Sequence, residues 1–280
     1  MSWLALIFLL SLLGISPGSS GGQGVTITLA PPIDEGGPLP PVTRARGRNP
    51  PLVVIDAGHG GRDPGSASRF GETREKEVTL ALARAIRDDL ARSGRVRVAL
   101  TRDDDTYLVL QDRYEIARRL DADLFISIHA DAAPANDGAH GATIYTLSEV
   151  ASDRQAALLA QRQNQSDLIA GARLSADQNV NLILIDLAQR ESMDVSANFA
   201  RILYREAAPV FPFRPQWHRF AAFVVLKAPD IPSILFESGY LTNPADATYI
   251  ASPQGRRQIA EGMRRAIEAH FARRLLPPDA

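Results

Sequence analysis

From Leu52 onward the chain alternates short apolar runs with longer amphipathic stretches, and this alternation restricts the possible folds more than any other feature. Short apolar runs predict buried strands, whereas apolar residues that recur every three or four positions predict helices. The alternation therefore predicts a single α/β domain, with a mostly parallel, twisted sheet of about six strands and helices on both faces. The 280 residues, 45% of them hydrophobic, are enough to form such a domain.

The predicted elements extend through most of the chain. Strands are predicted at Leu52–Asp56, Val96–Leu100, Asp123–His129, Ala142–Leu147, Phe220–Leu226 and Ser233–Glu237. Helices are predicted at Glu75–Arg92, Gln111–Leu120 and Gln254–Phe271. The carboxyl ends of parallel strands share one edge of the sheet, where open α/β folds bind their ligands. Polar residues near these strand ends are therefore the first candidates for a functional site.

Three residues with metal-binding side chains are expected at this edge. His59 follows the first strand among glycines, His129 ends the third strand, and Glu75 begins the first helix. Zinc favours imidazole and carboxylate ligands, and a catalytic site uses three of them and leaves a further position open. We therefore predict that this set binds one Zn²⁺ per chain. Glu237, at the end of the last strand, is predicted to be the catalytic base that takes a proton from a water activated by the metal; the alternative is a buried structural acid.

Four short motifs that contain these residues occur in a fixed order. They read IDAGHGGRDPG from Ile55, EKEV from Glu75, SIHAD from Ser127 and FESGYLTNP from Phe236. Together they resemble the motifs of the zinc-dependent N-acetylmuramoyl-L-alanine amidases of the cell wall, and the resemblance runs from about Leu52 to about Phe271. It implies a Zn²⁺ enzyme that cleaves the amide between N-acetylmuramic acid and L-alanine in peptidoglycan. It also favours Glu75 as the ligand over Glu72 and Glu77, which any helix dipole would equally favour near its first turn.

Residues 152–198 do not fit the predicted sheet, although their leucines and isoleucines argue against disorder. In the cell-division branch of the same family, a helical insert at this place lies over the zinc cleft until a LytM-domain partner removes it. The chain resembles that branch through SDLIAG from Ser166 and IDL from Ile185. The resemblance implies a helical regulatory insert at 152–198 and a LytM-domain activator, with Gln163, Leu168 and Ile169 as the candidate regulatory residues. A Glu of the insert can cap the zinc in that branch, whereas Gln163 is a poorer ligand, so inhibition by steric cover is the alternative.

The N-terminal region predicts export to the periplasm. Trp3–Ile15 is an apolar run of about the length of a signal-peptide core and too short to span a bilayer comfortably, although no Lys or Arg precedes it. We expect a signal peptide at 1–22, a Pro/Gly-rich linker at 23–51 with a short strand at Val25–Leu29, and the zinc amidase domain at 52–273. A retained or buried apolar terminus is the alternative.

Charge and cysteine content exclude several other kinds of protein. The formal net charge is -1, so the chain has no strong attraction for nucleic acid or for an anionic membrane surface. Cys is absent, which excludes disulfides and thiolate metal ligands. A zinc site made of His and Glu remains possible in any compartment. We expect peptidoglycan as the partner, and no stable membrane span in the mature chain.

Other functions stay open when the residues are considered without the resemblance. A zinc peptidase or deacetylase acting on another wall amide would use the same ligands, and only the family motifs distinguish it. A catalytically silent peptidoglycan-binding module is a second alternative, but such a module has no use for the base Glu237. An interaction protein whose insert is the active part is a third. A zinc assay and a muropeptide digest separate these functions.

Several polar residues near the motifs have less definite roles. Asp56 and Asp131 are predicted either to orient a ligand imidazole or to cap loops. Arg62 is predicted to be solvated, with contact to an acidic peptide stem as the alternative. His140, His218 and His270 lack a metal-binding context and are predicted to be surface or structural residues.

Overall fold

The structure is a computed structural model, and it describes residues 37–68, 70, 73–133, 138–171 and 182–274. The predicted signal peptide, the short strand Val25–Leu29 and the alternative ligand Glu72 therefore lie outside the described residues. Within those residues, no helix has both the length and the hydrophobicity that crossing a bilayer requires.

In the described parts of the chain, six strands form one sheet. They are β1 (Leu52–Ala57), β2 (Arg97–Leu100), β3 (Leu124–Asp131), β4 (Ala142–Leu147), β5 (Phe213–Ala221) and β6 (Ser233–Tyr240). The strand order is β2-β1-β3-β6-β4-β5, and every neighbouring pair is parallel except the antiparallel pair of β4 and β6. Strands β1, β3, β4 and β6 are buried along their whole length, as a sheet covered on both faces requires. The predicted α/β class and the mostly parallel sheet are confirmed.

Helices cover both faces of this sheet. They are α1 (Glu75–Ser93), α2 (Leu110–Arg119), α3 (Arg154–Asn164), α4 (Ser166–Ile169), α5 (Leu182–Ala207), α6 (Pro244–Ala251) and α7 (Pro253–Arg274). Helices α1, α5, α6 and α7 contribute to one hydrophobic core. Helices α2 and α3 contribute to a second core on the opposite face. The single domain therefore has the layered arrangement that the alternating sequence predicts.

Helix α1 shows how the sequence fixes the elements that carry the site. Val78, Leu82, Ile86 and Leu90 recur at three- or four-residue spacing and are all buried against the sheet. Gly94 then takes a left-handed conformation with φ of 66°, and its amide donates to the carbonyl of Leu90. This is a common way for a helix to end, because glycine adopts positive φ without strain. The two ends of α1 are thus fixed, with Glu75 at its start.

The predicted strand Phe220–Leu226 is wrong in position. The edge strand β5 ends at Ala221, and the apolar residues that follow form a 3₁₀ turn at Val224–Leu226. Phe223, Val225 and Leu226 are buried in the second core, so their hydrophobicity reflects burial and not strand pairing. The other predicted strands and helices are confirmed, with ends that differ by at most three residues.

The predicted insert is helical in its described parts but is not separate from the domain. Helix α3 buries Ala156, Leu159 and Ala160 in the second core. Helix α5 runs past the predicted end of the insert at residue 198, and its last turns, from Phe199 to Ala207, pack in the first core. Each end of the insert is therefore anchored in the hydrophobic interior.

Candidate metal centre and active site

His59, Glu75 and His129 lie together in a buried group. Their potential ligand atoms all lie within 4.8 Å of one another. Oε1 of Glu75 is 3.0 Å from Nε2 of His59 and 3.1 Å from Nδ1 of His129. His59 follows β1, Glu75 begins α1 and His129 lies near the end of β3, so the parallel strands bring residues from distant parts of the chain to one edge.

Backbone amides hold the Glu75 carboxylate in place. The amide of Ala130 donates to Oε1 at 3.0 Å, and the amide of Ser66 donates to Oε2 at 2.8 Å. Burial opposes ionisation, but the charges and hydrogen bonds of His59 and His129 hold the pKa of Glu75 well below its usual value. Glu75 is therefore a fixed negative charge at the centre of the group.

The backbone of His59 has an unusual conformation that aims its ring at this centre. Its φ is 61°, a left-handed value that costs a non-glycine residue roughly 1–3 kcal/mol. Two buried arginines hold the turn: Arg113 donates to the carbonyl of His59 at 2.9 Å, and Arg102 donates to that of Gly58 at 2.7 Å. The surrounding protein therefore holds His59 in the backbone conformation that aims its ring at Glu75 and His129.

Asp63 orients the His59 ring. Nδ1 of His59 donates to Oδ2 of Asp63 at 2.7 Å, and the amide of Gly65 donates to the other oxygen at 3.0 Å. With its hydrogen on Nδ1, His59 directs the lone pair of Nε2 into the group, as a metal-binding imidazole does. This role was not predicted from the sequence, although Asp63 lies four residues after His59 inside the first motif.

The donor set fits a zinc ion. Nε2 of His59 is buried and has no hydrogen-bond partner among the described residues, although Oε1 of Glu75 is only 3.0 Å away. Nε2 of His59 and Oε1 of Glu75 are two acceptor atoms that lie close together without a hydrogen bond between them. Such an arrangement is expected where both atoms bind the same cation. The charge of Glu75 and the bond to Asp63 outweigh burial and raise the pKa of His59 to about 9, so the pocket strongly favours positive charge. Two imidazoles and one carboxylate are a known catalytic zinc set.

Glu237 lies beside the group without belonging to it. It pairs with His129 across the β3–β6 ladder, it is fully buried, and neither of its carboxylate oxygens has a hydrogen-bond partner among the described residues. Burial, with the charges of Asp131 and Glu75, raises its pKa well above the usual value. A buried structural acid would need a hydrogen-bond partner, and the described residues offer none at this position. The geometry therefore favours a catalytic role for Glu237.

Asp56 and Asp131 are not direct partners of the ligand imidazoles. Asp56 is buried and accepts hydrogen bonds from Thr101, Ser127 and Arg113. It acts at one remove, because the Arg113 that it binds also holds the carbonyl of His59. Asp131 instead accepts a bond from Arg162 of α3 at 3.0 Å, and burial raises its pKa to about 6.

The other polar residues singled out in the sequence lie away from the group formed by His59, Glu75 and His129. Arg62 and His140 are exposed. His218 is partly buried, and its Nε2 lies 3.0 Å from Oγ1 of Thr146. His270 is buried in α7 against the ring of Phe199. These positions agree with surface or structural roles for the three histidines.

A cavity of about 240 Å³ adjoins His59 and Glu75, and the insert forms one of its walls. Gln163 is buried and lines this cavity, and Ile169 lines it while keeping 59% of its surface exposed. Leu168 does not line the cavity and is 65% exposed. Of the three residues predicted to be regulatory, Gln163 and Ile169 therefore line the cavity and Leu168 does not.

Comparison with known proteins gives consistent similarities. Residues 53–269 match the family described as N-acetylmuramoyl-L-alanine amidase. The chain is 37% identical to the N-acetylmuramoyl-L-alanine amidase AmiA of Escherichia coli K12, over 79% of this chain and 76% of that protein. It is 35% identical to AmiC of Escherichia coli O6:H1 over 86% of this chain, which spans only 57% of the length of AmiC. The solved structure of the amidase AmiC2 of Nostoc punctiforme is 28% identical, with a TM-score of 0.57 over 81% of this chain and 99% of that one.

Replacing Gly58 by alanine tests how tightly the group is packed. A Cβ at this position would lie 2.6 Å from Nε2 of His129, so the imidazole must move. We expect the folded Gly58→Ala protein to bind Zn²⁺ at least about tenfold more weakly in a chelator competition, a loss typical of a displaced ligand environment. Gly37→Ala is the control, since nothing lies within 4 Å of its added methyl. Unchanged zinc affinity in Gly58→Ala would show that the ring can shift at no cost.

Removing one ligand tests the metal group itself. We expect His129→Ala to lose most of its zinc after dialysis, by at least about tenfold in molar content, because two ligands hold the ion much less well than three. Elemental analysis measures the content, and His140→Ala, which replaces an exposed histidine, is the matched control. A folded His129→Ala protein that keeps a full equivalent of zinc would remove His129 from the site.

Proposed function

This chain belongs to the N-acetylmuramoyl-L-alanine amidase family, and we propose that it hydrolyses the amide between N-acetylmuramic acid and L-alanine in peptidoglycan. The observation that carries the proposal is a buried, unpartnered carboxylate, Glu237, beside a buried group of two imidazoles and one carboxylate. Hydrolysis of an unactivated amide needs both an activated water and a proton donor for the leaving nitrogen. This arrangement supplies groups for both.

We propose that His59, Glu75 and His129 hold one Zn²⁺. When bound, the ion lowers the pKa of water and polarises the scissile carbonyl. Asp63 keeps the His59 imidazole in the tautomer that binds metal, and the amides of Ser66 and Ala130 fix the carboxylate of Glu75.

Glu237 is proposed to carry the proton through the reaction. Burial, with the charges of Asp131 and Glu75, raises the pKa of Glu237. A cation held by the neighbouring ligands would lower this pKa again, so that Glu237 would be ionised before the reaction. It takes a proton from the attacking water and delivers it to the nitrogen of L-alanine as the C–N bond breaks. Glu237 is then ionised again, and no covalent intermediate is required.

A zinc peptidase or deacetylase would use the same groups on a different amide, so the geometry does not distinguish these reactions. The family membership favours the muramoyl amide. Mass analysis of the products from purified peptidoglycan separates them, because an amidase releases intact stem peptides with a free L-alanine amino group. Released acetate, or peptides cut within the stem, would instead identify a deacetylase or a peptidase. Release of nothing by a zinc-loaded protein that still binds the wall would indicate a binding module.

Glu237→Gln tests the proposed base. The amide is nearly the same size but cannot take a proton at neutral pH, so we expect a loss of about 10²–10⁴-fold in turnover, the usual contribution of a general acid–base group. Zinc content and melting temperature should stay close to those of the parent. Glu149→Gln makes the same change at an exposed position and should leave turnover unaltered. Activity of Glu237→Gln within twofold of the parent would make Glu237 a structural residue.

We also propose that the enzyme acts in the periplasm, in wall remodelling and the separation of daughter cells. The apolar segment Trp3–Ile15 supports export. The family supports the wall as the site of action. A fusion of the N-terminal 51 residues to a reporter that is active only outside the cytoplasm tests the export.

The insert is proposed to keep the isolated enzyme weakly active by covering the cleft. Helices α3 and α4 supply one wall of the cavity beside His59 and Glu75. Gln163 is buried in this wall, and its uncharged amide is a weaker zinc ligand than a carboxylate. Cover by the helix, and not direct capping of the metal, is therefore the proposed form of inhibition.

Specific contacts hold the insert in the closed position. The hydroxyl of Ser166 donates to Asp63, the carboxylate that orients His59. The carboxylate of Asp167 accepts a bond from the hydroxyl of Tyr107 at 2.6 Å and another from the amide of Leu110 at 2.9 Å, at the start of α2. A negative charge is favoured at this end of a helix, so Asp167 links the insert to the domain body. An activator must therefore bind the open form better than the closed form.

A LytM-domain activator is proposed as the partner that opens the insert. The exposed side chains of Leu168 and Ile169 lie on α4, close to the contacts of Ser166 and Asp167. A protein that buries these apolar side chains in the open form would gain binding free energy. This gain would offset the cost of breaking the contacts of Ser166 and Asp167.

Asp167→Ala tests the proposed inhibition. The change removes both bonds to the domain body, and hydrogen bonds to a charged group are worth enough to shift the open population about tenfold or more. We expect peptidoglycan hydrolysis without any partner to rise accordingly. Tyr107→Phe, which removes one bond from the other side, should give a smaller rise, and Arg154→Gln at an exposed position of α3 should give none. A folded, zinc-loaded Asp167→Ala protein no more active than its parent would overturn the inhibition.

A further inference from the structure

A second cavity, of about 490 Å³, adjoins the cleft beside the metal group. Asp131, Arg162 and Gln165 line both cavities, so the two are neighbours. The second cavity is also lined by Arg214 and Arg219 of β5 and by Tyr240 at the end of β6. Three arginines and one carboxylate therefore surround a space that opens beside the proposed reaction centre.

The three arginines differ in what already neutralises them. Arg162 is paired with Asp131 at 3.0 Å. Arg219 is buried, forms an ion pair with Asp153 and donates to the hydroxyl of Tyr145 at 2.9 Å. Arg214 has no carboxylate partner among the residues that the structure describes.

The Arg214 guanidinium is nevertheless held in place. It donates to the hydroxyl of Tyr240 at 2.5 Å and lies over the Tyr240 ring, 5.4 Å from its centre. The Tyr240 side chain is itself buried. An arginine that is half-buried, oriented and without an anion is a ready site for a carboxylate, because its planar fork can donate two parallel hydrogen bonds.

The distance from the reaction centre suits a peptide substrate. In the β3–β6 ladder Glu237 lies opposite His129, and Tyr240 lies opposite Asp131. Tyr240 lies three residues after Glu237, whereas the matching span of β3, from His129 to Asp131, is two residues, because the register of the ladder shifts between them. At about 3.3 Å per residue the separation is roughly 7–10 Å. An extended peptide spans this distance in about two to three residues. A stem peptide whose first amide lies at Glu237 therefore reaches Arg214 with its second or third residue.

We propose that Arg214 binds a carboxylate of the stem peptide on the leaving side of the scissile amide, with Tyr240 positioning its guanidinium. This inference rests on the proposed amidase function. The ligand chemistry is a carboxylate, and the stem offers two: one on the acidic second residue and one on a diamino acid at the third position. Arg219 adds positive charge to the same wall.

In the closed form, the insert partly neutralises the positive charge of Arg219. Asp153, which pairs with Arg219, is the residue that caps the start of α3. Movement of α3 away from the sheet separates Asp153 from Arg219 and Arg162 from Asp131. Arg214 depends on neither contact, because its partner Tyr240 belongs to the sheet. The Arg214 site is therefore present in both forms of the insert.

The test compares three soluble muropeptides: one with both stem carboxylates free, one amidated at the second residue, and one amidated at the third. We expect the parent enzyme to prefer a free carboxylate at one of these positions by about tenfold or more in kcat/KM, because a charge-assisted bond to arginine is lost on amidation. Arg214→Gln should abolish that preference, and Arg214→Lys should keep part of it. The position whose amidation matters identifies the carboxylate. The ratio of the kcat/KM values for two substrates does not depend on the fraction of enzyme molecules whose insert is open, because this fraction affects both values equally.

Arg92→Gln, at an exposed position on α1, is the matched control and should keep the parent ratio. An unchanged ratio in Arg214→Gln, or a parent enzyme indifferent to both amidations, would overturn the carboxylate site. Equilibrium binding of the free stem tripeptide to the full chain gives a readout that needs no turnover. Arg214→Gln should weaken it about tenfold. If the parent hydrolyses none of the three substrates, the proposed function fails, and the binding measurement alone then decides the Arg214 site.

Discussion

The structure depends on a concentration of negative charge in a place that excludes water. Glu75, Glu237 and Asp131 are all buried at the ends of neighbouring elements. Burial first, and then the charge of Glu75, raises the pKa of both Glu237 and Asp131. Such a cluster is costly unless a cation offsets it. Burial alone would lower the pKa of His59, but the charges and hydrogen bonds of Glu75 and Asp63 raise it to about 9. A divalent ion held by the proposed ligands His59, Glu75 and His129 would offset the same negative charge without a proton.

The location of the candidate site at one edge of the sheet could be predicted from the sequence, because the strands and helices that form this edge follow periodic patterns of apolar residues. Apolar runs predict the strands, and residues at or just after their carboxyl ends, such as His129 and His59, are then expected at one edge. The contacts that orient the ligands follow no such pattern. Arg113 reaches the carbonyl of His59 across 54 positions of sequence, and nothing in its helical neighbourhood distinguishes it from a solvated arginine. The error at Phe220–Leu226 has the same origin, since a buried 3₁₀ turn is as apolar as a strand.

One carboxylate contacts both the insert and the proposed metal ligand His59, so the proposed inhibition and the proposed metal binding would be linked. Asp63 accepts one hydrogen bond from His59 and another from Ser166 of the insert. If the insert moved away, the bond from Ser166 would be lost, and Asp63 would keep the bonds from His59 and from Gly65. The negative charge of Asp63 would then act more fully on the imidazole of His59. Opening would therefore alter the basicity of a metal ligand as well as admit substrate.

The insert contacts the cleft wall through ion pairs, so under the proposed inhibition it would cover a charged cleft at low cost. Arg162 of α3 pairs with Asp131 of β3, and Asp153, which caps α3, pairs with Arg219 of β5. Two charges of the cleft wall therefore meet opposite charges of the insert, whereas Arg214 has no carboxylate partner among the described residues. Displacement of α3 exposes one acid and one base together, which leaves the net charge of the wall unchanged and avoids burying an isolated ion. Substrate could then replace the insert in kind: its carboxylates meet arginines, and its peptide groups meet the strand ends. Under the proposed function, the charges that pair with the insert would thus also suit an anionic peptide.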